Sequence, residues 1–113
     1  EASADQSISL HADVTRKLFF NDLNESQAAA YHARLTPQPL GVYLEESPFD
    51  LSTLTCPRHY LACRDDQALG LESNLLYAAR LGGTTRILEA GHDVMLSEPD
   101  MLAQVLMALP GRG

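Results

Sequence analysis

Three side chains in this sequence are placed to handle a proton. Asp65 and Asp66 follow the apolar run Tyr60-Leu61-Ala62-Cys63, and His92 follows "TTRILEA" by way of Gly91. A carboxylate bonded to one nitrogen of an imidazole fixes the tautomer and stabilises the imidazolium. The other nitrogen is then free to take a proton from a nucleophile. Such a pair is two thirds of a nucleophilic triad, in the chain order acid then base. His11, His32 and His59 are scattered and lack ligand spacing, so no metal centre is expected. Ser97 reads as the N-cap of the following helix rather than as a nucleophile. Cys63 lies inside an apolar strand and reads as core. Asp93 reads as a surface residue.

The elements that must position these groups follow from periodicity. "HYLAC" is a continuous apolar run, as in a strand covered on both faces. A helix is predicted over Leu71 to Leu81, with Leu71, Leu75, Ala78 and Ala79 inward and Gly82-Gly83 as its stop. "TTRILEA" predicts a second strand. "SEPDMLAQVLMAL" predicts a helix with Pro99 in its first turn and Asp100 completing a capping box with Ser97. Strand, helix, strand with short links implies two parallel neighbours and a right-handed crossover. Functional groups gather outside the carboxyl ends of such strands. Neighbouring strands lie about 5 Å apart, so an acid and a base on these two loops can meet. Two strands do not make a stable covered sheet alone, so they read as the edge of a larger one.

The first half is different in character. "NESQAAAYHARL" predicts a helix from Glu25 to Leu35, capped by Asn24 with Gln27 in a capping-box arrangement. Ala28, Tyr31, His32 and Leu35 share one face, and "TPQP" stops the helix. A shorter helix is predicted within Asp13 to Asn21, with Leu18 and Phe19 or Phe20 toward a core.

Composition bounds the function. The chain has 113 residues, one domain by length, and is 45% hydrophobic and 20% charged. Eight basic against 15 acidic residues give a net charge of −7. Nucleic acid and anionic membrane surfaces are therefore not expected partners. No apolar run is long enough for a membrane span and no signal peptide is visible. The start "EASADQSISL" reads as internal to something longer. Cys56 and Cys63 lack C-x-x-C spacing and read as buried free thiols in a reducing compartment, so a cytoplasmic location is expected.

"HYLACRDDQAL" followed by "ILEAGHDVMLSEP" resembles the C-terminal part of α/β-hydrolase-fold esterases, in the branch of methylesterases and hydroxynitrile lyases. The resemblance implies an α/β fold: the last parallel strands and helices of that fold's sheet, plus part of a helical cap. Residues 1–50 would be the cap or lid segment and residues 51–113 the core segment. Carried over residue by residue, Asp66 resembles the triad acid, His92 the triad base, and Met95 a residue lining the substrate site. A small-molecule ester is the implied substrate and no cofactor is needed. The family's G-x-S-x-G elbow, which carries its nucleophile, does not occur here. The serine would come from an upstream N-terminal half, in the same protein or a separate chain. A homodimer is compatible with this reading. A lyase is disfavoured, because that branch commonly uses a lysine near the site and the only lysine is Lys17. The alternative is a non-catalytic fragment or binding module of the same fold.

Overall fold

The computed structural model describes residues 6–110. In chain order its elements are β1 (Ser7–Ile8), α1 (Ala12–Leu18), α2 (Glu25–His32), β2 (Gln38–Pro39), α3 (Gly41–Leu44), a 3-10 turn (Leu51–Thr53), β3 (His59–Cys63), α4 (Leu71–Leu81), β4 (Thr84–Leu88), α5 (Val94–Ser97) and α6 (Pro99–Ala108).

β3 and β4 pair in parallel, with His59 opposite Thr84 and Cys63 opposite Leu88, and α4 connects them. This is the expected β-α-β unit. The helix stops at its glycines, where φ is +71° at Gly82 and +83° at Gly83. A Cβ on Gly83 would collide with the Arg58 carbonyl oxygen. That same oxygen accepts the Thr84 N–H at 3.0 Å. The glycine pair therefore ends the helix and also lets β4 fall into register on β3.

Side chains alternate across β3. Leu61 and Cys63 enter a cluster with Leu88, Ala90, Val94 and Val105, closed by Met101 and Leu102. Residues of α5 and α6 thus cover that face. On the other face Tyr60 reaches Asn74 of α4, and Ala62 and Ala78 are buried. Here the expected inward stripe of α4 needs correcting. Asn74 and Ala78 are buried while Leu75 is 39% exposed. The amide of Asn74 has partners inside, so the inner face runs through Asn74 and Ala78 and leaves Leu75 toward the edge.

The N-terminal helices hang on Thr15, which is fully buried. Its hydroxyl donates to the His11 carbonyl (2.9 Å) and lies 3.2 Å from His32 Nδ1, joining α1 to α2. α2 opens with the expected capping box: Asn24 Oδ1 accepts from the Gln27 N–H at 2.8 Å, and Gln27 Oε1 accepts from the Asn24 N–H at 3.2 Å. It ends at His32, short of Leu35, because the Arg34 and Leu35 N–H groups turn to the Tyr31 and His32 carbonyls in tighter bonds. The chain then runs extended through Pro37, and β2 pairs antiparallel with β1. Phe20, Leu23 and Ala28 form a second buried cluster, bordered by Phe19, Tyr31 and Leu96. Leu96 belongs to α5, so this cluster rests on the strand-end side of the sheet.

The capping role expected of Ser97 is not observed. Ser97 is the last residue of α5, held by the bonds from its N–H to Asp93 and from the Glu98 N–H to Val94. The N-cap of α6 is Glu98, at φ −135° and ψ 57°, with Pro99 as the first helical residue. Proline removes the preceding residue from helical geometry, so the break falls at Glu98. The Ser97 hydroxyl is buried with no partner among the described residues. Cys63 is buried as expected, whereas Cys56 is exposed in the loop before β3; both are free thiols. No helix among the described residues is long and apolar enough to cross a membrane.

Candidate active site

The backbone brings the two strand-end loops together before any side chain acts. The Arg64 N–H donates to the Leu88 carbonyl (2.8 Å) and the Asp65 N–H to the Ala90 carbonyl (3.0 Å). The parallel ladder thus runs past the strands to Asp65, next to Asp66, and to Ala90, two residues before His92.

Asp66 is 4% exposed and His92 half-buried. His92 Nδ1 lies 3.0 Å from each Asp66 carboxylate oxygen. A carboxylate only accepts, so Nδ1 carries the hydrogen and donates it. In the neutral ring, Nε2 is then the basic nitrogen. No partner occupies Nε2 among the described residues. Asp66 Oδ1 also accepts from the N–H groups of Ala68 (2.8 Å) and Leu69 (3.0 Å). Oδ2 accepts from the side-chain amide of Asn74 at 2.9 Å. Asn74 in turn donates to the Gly70 carbonyl and accepts from the Tyr60 hydroxyl, each at 2.8 Å. Both Asp66 oxygens, the Asn74 amide and the Tyr60 hydroxyl are thus answered, as a low-dielectric site requires, and His92 Nε2 is the polar atom of the network left open among the described residues.

Burial pushes the Asp66 carboxyl up, but the bonds from Leu69, Asn74 and His92 and the nearby imidazole outweigh it and hold the group below the usual carboxylate range. The carboxyl therefore stays ionised at neutral pH. Burial, with the Asp66 charge behind it, raises the Tyr60 hydroxyl and the Cys63 thiol. Both keep their protons, and Cys63 is an inert core thiol. Asp93 was expected at the surface and is half-buried. Burial raises its carboxyl, and the carboxylates of Asp22 and Asp66 add to the effect against the opposing pull of His92.

The N-terminal helical segment closes one side of the site. Phe19 meets the His92 ring edge-on, with centroids 5.1 Å apart and planes at 75°. Asp22 Oδ2 accepts from the Gly91 N–H at 2.7 Å, and the Asn21 side-chain amide donates to the Asp65 carbonyl at 2.8 Å. Gly91 is buried, so without Asp22 its N–H would go unpaired, at a cost of about 1–3 kcal/mol. A Cβ on Gly91 would strike the Asn21 side-chain oxygen and come within 2.8 Å of Asp22 Oδ1. Beside Phe19 lie two cavities. One of about 140 Å³ is bounded by Leu10, Thr15, Phe20, Leu35 and Asp93. The other, about 300 Å³, is bounded by Ile8, Leu10, Leu35, Thr36, Gln38 and Tyr43.

Of the residues singled out in the sequence, the structure brings Asp66 and His92 into contact. Asp65 points to solvent and contributes only its backbone. Met95 is 52% exposed on α5 and borders neither cavity. Asn74, Tyr60 and Asp22 were missed. Asn74 alone had a signal: a poor helix former in the middle of an apolar helix.

Two adjacent parallel strands joined by a helix, with further helices packed around them, form the C-terminal portion of an α/β-hydrolase fold. Two solved structures of polyneuridine aldehyde esterase carry it: a histidine-to-alanine mutant at TM-score 0.77 and 17% identity, and a second structure at 0.74 and 19%. In each case the match covers 89% of this chain and 42% of the esterase chain. The chain thus spans less than half the length of these structures. No protein-family model and no curated protein matches it.

Proposed function

We propose that this chain is the acid- and base-bearing part of a serine-type carboxylic ester hydrolase. The observation that carries the reading is the His92–Asp66 pair: an imidazole whose Nδ1 donates to a buried, fully bonded carboxylate and whose Nε2 has no described partner. In the reaction, Nε2 takes the proton of a serine hydroxyl as its oxygen attacks the ester carbonyl, and Asp66 stabilises the resulting imidazolium. His92 then gives that proton to the leaving alcohol. Water repeats the cycle on the acyl-enzyme. The serine and the N–H groups that hold the oxyanion come from the half of the fold outside these residues. The apolar cavities beside Phe19 favour a small or medium ester with an apolar group, and residues 1–50 serve as the lid. Met95 borders the substrate when the missing half is in place.

The test is to assemble the chain with a serine-bearing half and assay a short-chain aryl ester. His92→Ala should abolish turnover, by at least about ten-thousandfold. A variant with full rate sinks the reading. The 113-residue chain by itself should not be labelled by a fluorophosphonate probe, and labelling at Ser97 or Cys63 would overturn the assignment of the nucleophile to the other half.

A further inference from the structure

Two adjacent side chains of the α1–α2 loop touch both loops that carry the acid and the base. Asn21 bonds the carbonyl of Asp65, the residue before Asp66. Asp22 bonds the N–H of Gly91, the residue before His92. The parallel ladder ends at the Asp65–Ala90 bond. Past it, among the described residues, no backbone bond joins the two loops, and the clasp from residues 21 and 22 spans the gap.

We propose that Asn21 and Asp22 are positioning residues that set the placement of His92 relative to Asp66, so that the helical segment as well as the sheet determines how well the pair moves a proton. The inference rests on reading His92 as the general base. Three features support it. The Asp22 bond is short and charge-assisted, the kind that resists displacement. Gly91 has no room for a side chain on the face turned to Asn21 and Asp22, so loop and clasp are in direct contact. Phe19, three residues before Asp22 on the same connection, lies edge-on against the His92 ring and limits its tilt. A base held by its preceding peptide and its ring face, and an acid held by its preceding carbonyl, are fixed at the atoms nearest the chemistry.

The experiment uses the chain assembled with its serine-bearing half. Asp22→Ala should lower kcat about tenfold while KM moves less than about twofold, because the loss falls on alignment rather than substrate contact. Asp22→Asn keeps an acceptor oxygen for the Gly91 N–H and should recover most of that loss. Two readouts do not depend on turnover. In Asp22→Ala the Gly91 amide should exchange with solvent faster, and the downfield His92 Nδ1 proton resonance should shift or broaden. Asn21→Ala should show the same pattern more weakly. Unchanged kcat, Gly91 exchange and Nδ1 resonance in Asp22→Ala overturn the clasp, as does an Asp22→Asn variant no better than the alanine. Full activity in His92→Ala removes the catalytic reading instead. The exchange and resonance measurements still decide whether the clasp fixes the pair.

Discussion

The strand-end region and the N-terminal helical segment are built on different terms. In the first, β3, α4, β4 and their loops supply every member of the Tyr60–Asn74–Asp66–His92 network, packed on the cluster around Leu88. In the second, a smaller cluster around Phe20 supports contacts that reach the site only from outside: a ring edge, one carboxylate and one amide. On the proposed reading, one region contains the chemistry and the other adjusts it. The separation teaches that a buried acid–imidazole pair can have its direct partners nearby in sequence while the loops that carry it are also held by a segment distant in sequence.

The comparison predicts a graded series. His92→Ala stands at the top, with ester hydrolysis lost as described. Asp66→Asn should follow, at about a thousandfold to ten-thousandfold in kcat, since an amide cannot hold the imidazole in the required tautomer; steady-state kinetics measure it. Asn74→Ala should cost about tenfold to a hundredfold, because it leaves Asp66 Oδ2 and the Tyr60 hydroxyl short of a partner. The clasp variants come next. Should Asp22→Ala rival Asp66→Asn, the division between the two regions collapses.

The smallest effects concern stability. Asp66 is ionised below its ordinary range in the fold, so its contribution is fully present above the ordinary value of about 4. It is lost as pH falls through the depressed one. Asp93 has the opposite sign. Its raised carboxyl makes the ionised form costly above the folded value, and that cost disappears as pH falls to the ordinary value. Asp93→Asn should therefore raise the melting temperature at neutral pH by about 2 °C and give no gain near pH 4. Calorimetry at the two pH values checks it.

Much of the strand-end region was legible. The run Tyr60 to Cys63, the glycine pair after Leu81 and the β-branched stretch from Thr84 each encode their element locally, and the loops followed from them. The α6 cap was misread because a one-turn helix before a proline has no period to detect, so Ser97 looked like the cap that Glu98 is. Asn74 stood out only as a poor helix former in an apolar helix; the carboxylate it answers lies across the loop, and no local pattern shows it. β1 and β2 are two residues each, and Pro39 brings no N–H, which leaves no strand signal. Asn21 fell at the end of the helix predicted within Asp13 to Asn21 and Asp22 was not singled out, because their partners are set by tertiary packing.

The spacing of these contacts along the chain has a bearing on how the site comes into being. Asp66 meets Asn74 across 8 residues, His92 meets Asp66 across 26, and Gly91 meets Asp22 across 69. Closing the longest of these loops costs about 0.9 kcal/mol more in chain entropy than closing the middle one. Nearby contacts also form soonest. During refolding the acid should acquire its amide first, the base should join once β4 has paired, and the helical clasp should close last. Catalytic competence would then be acquired after the bulk of the secondary structure has formed, as a late and separately measurable phase.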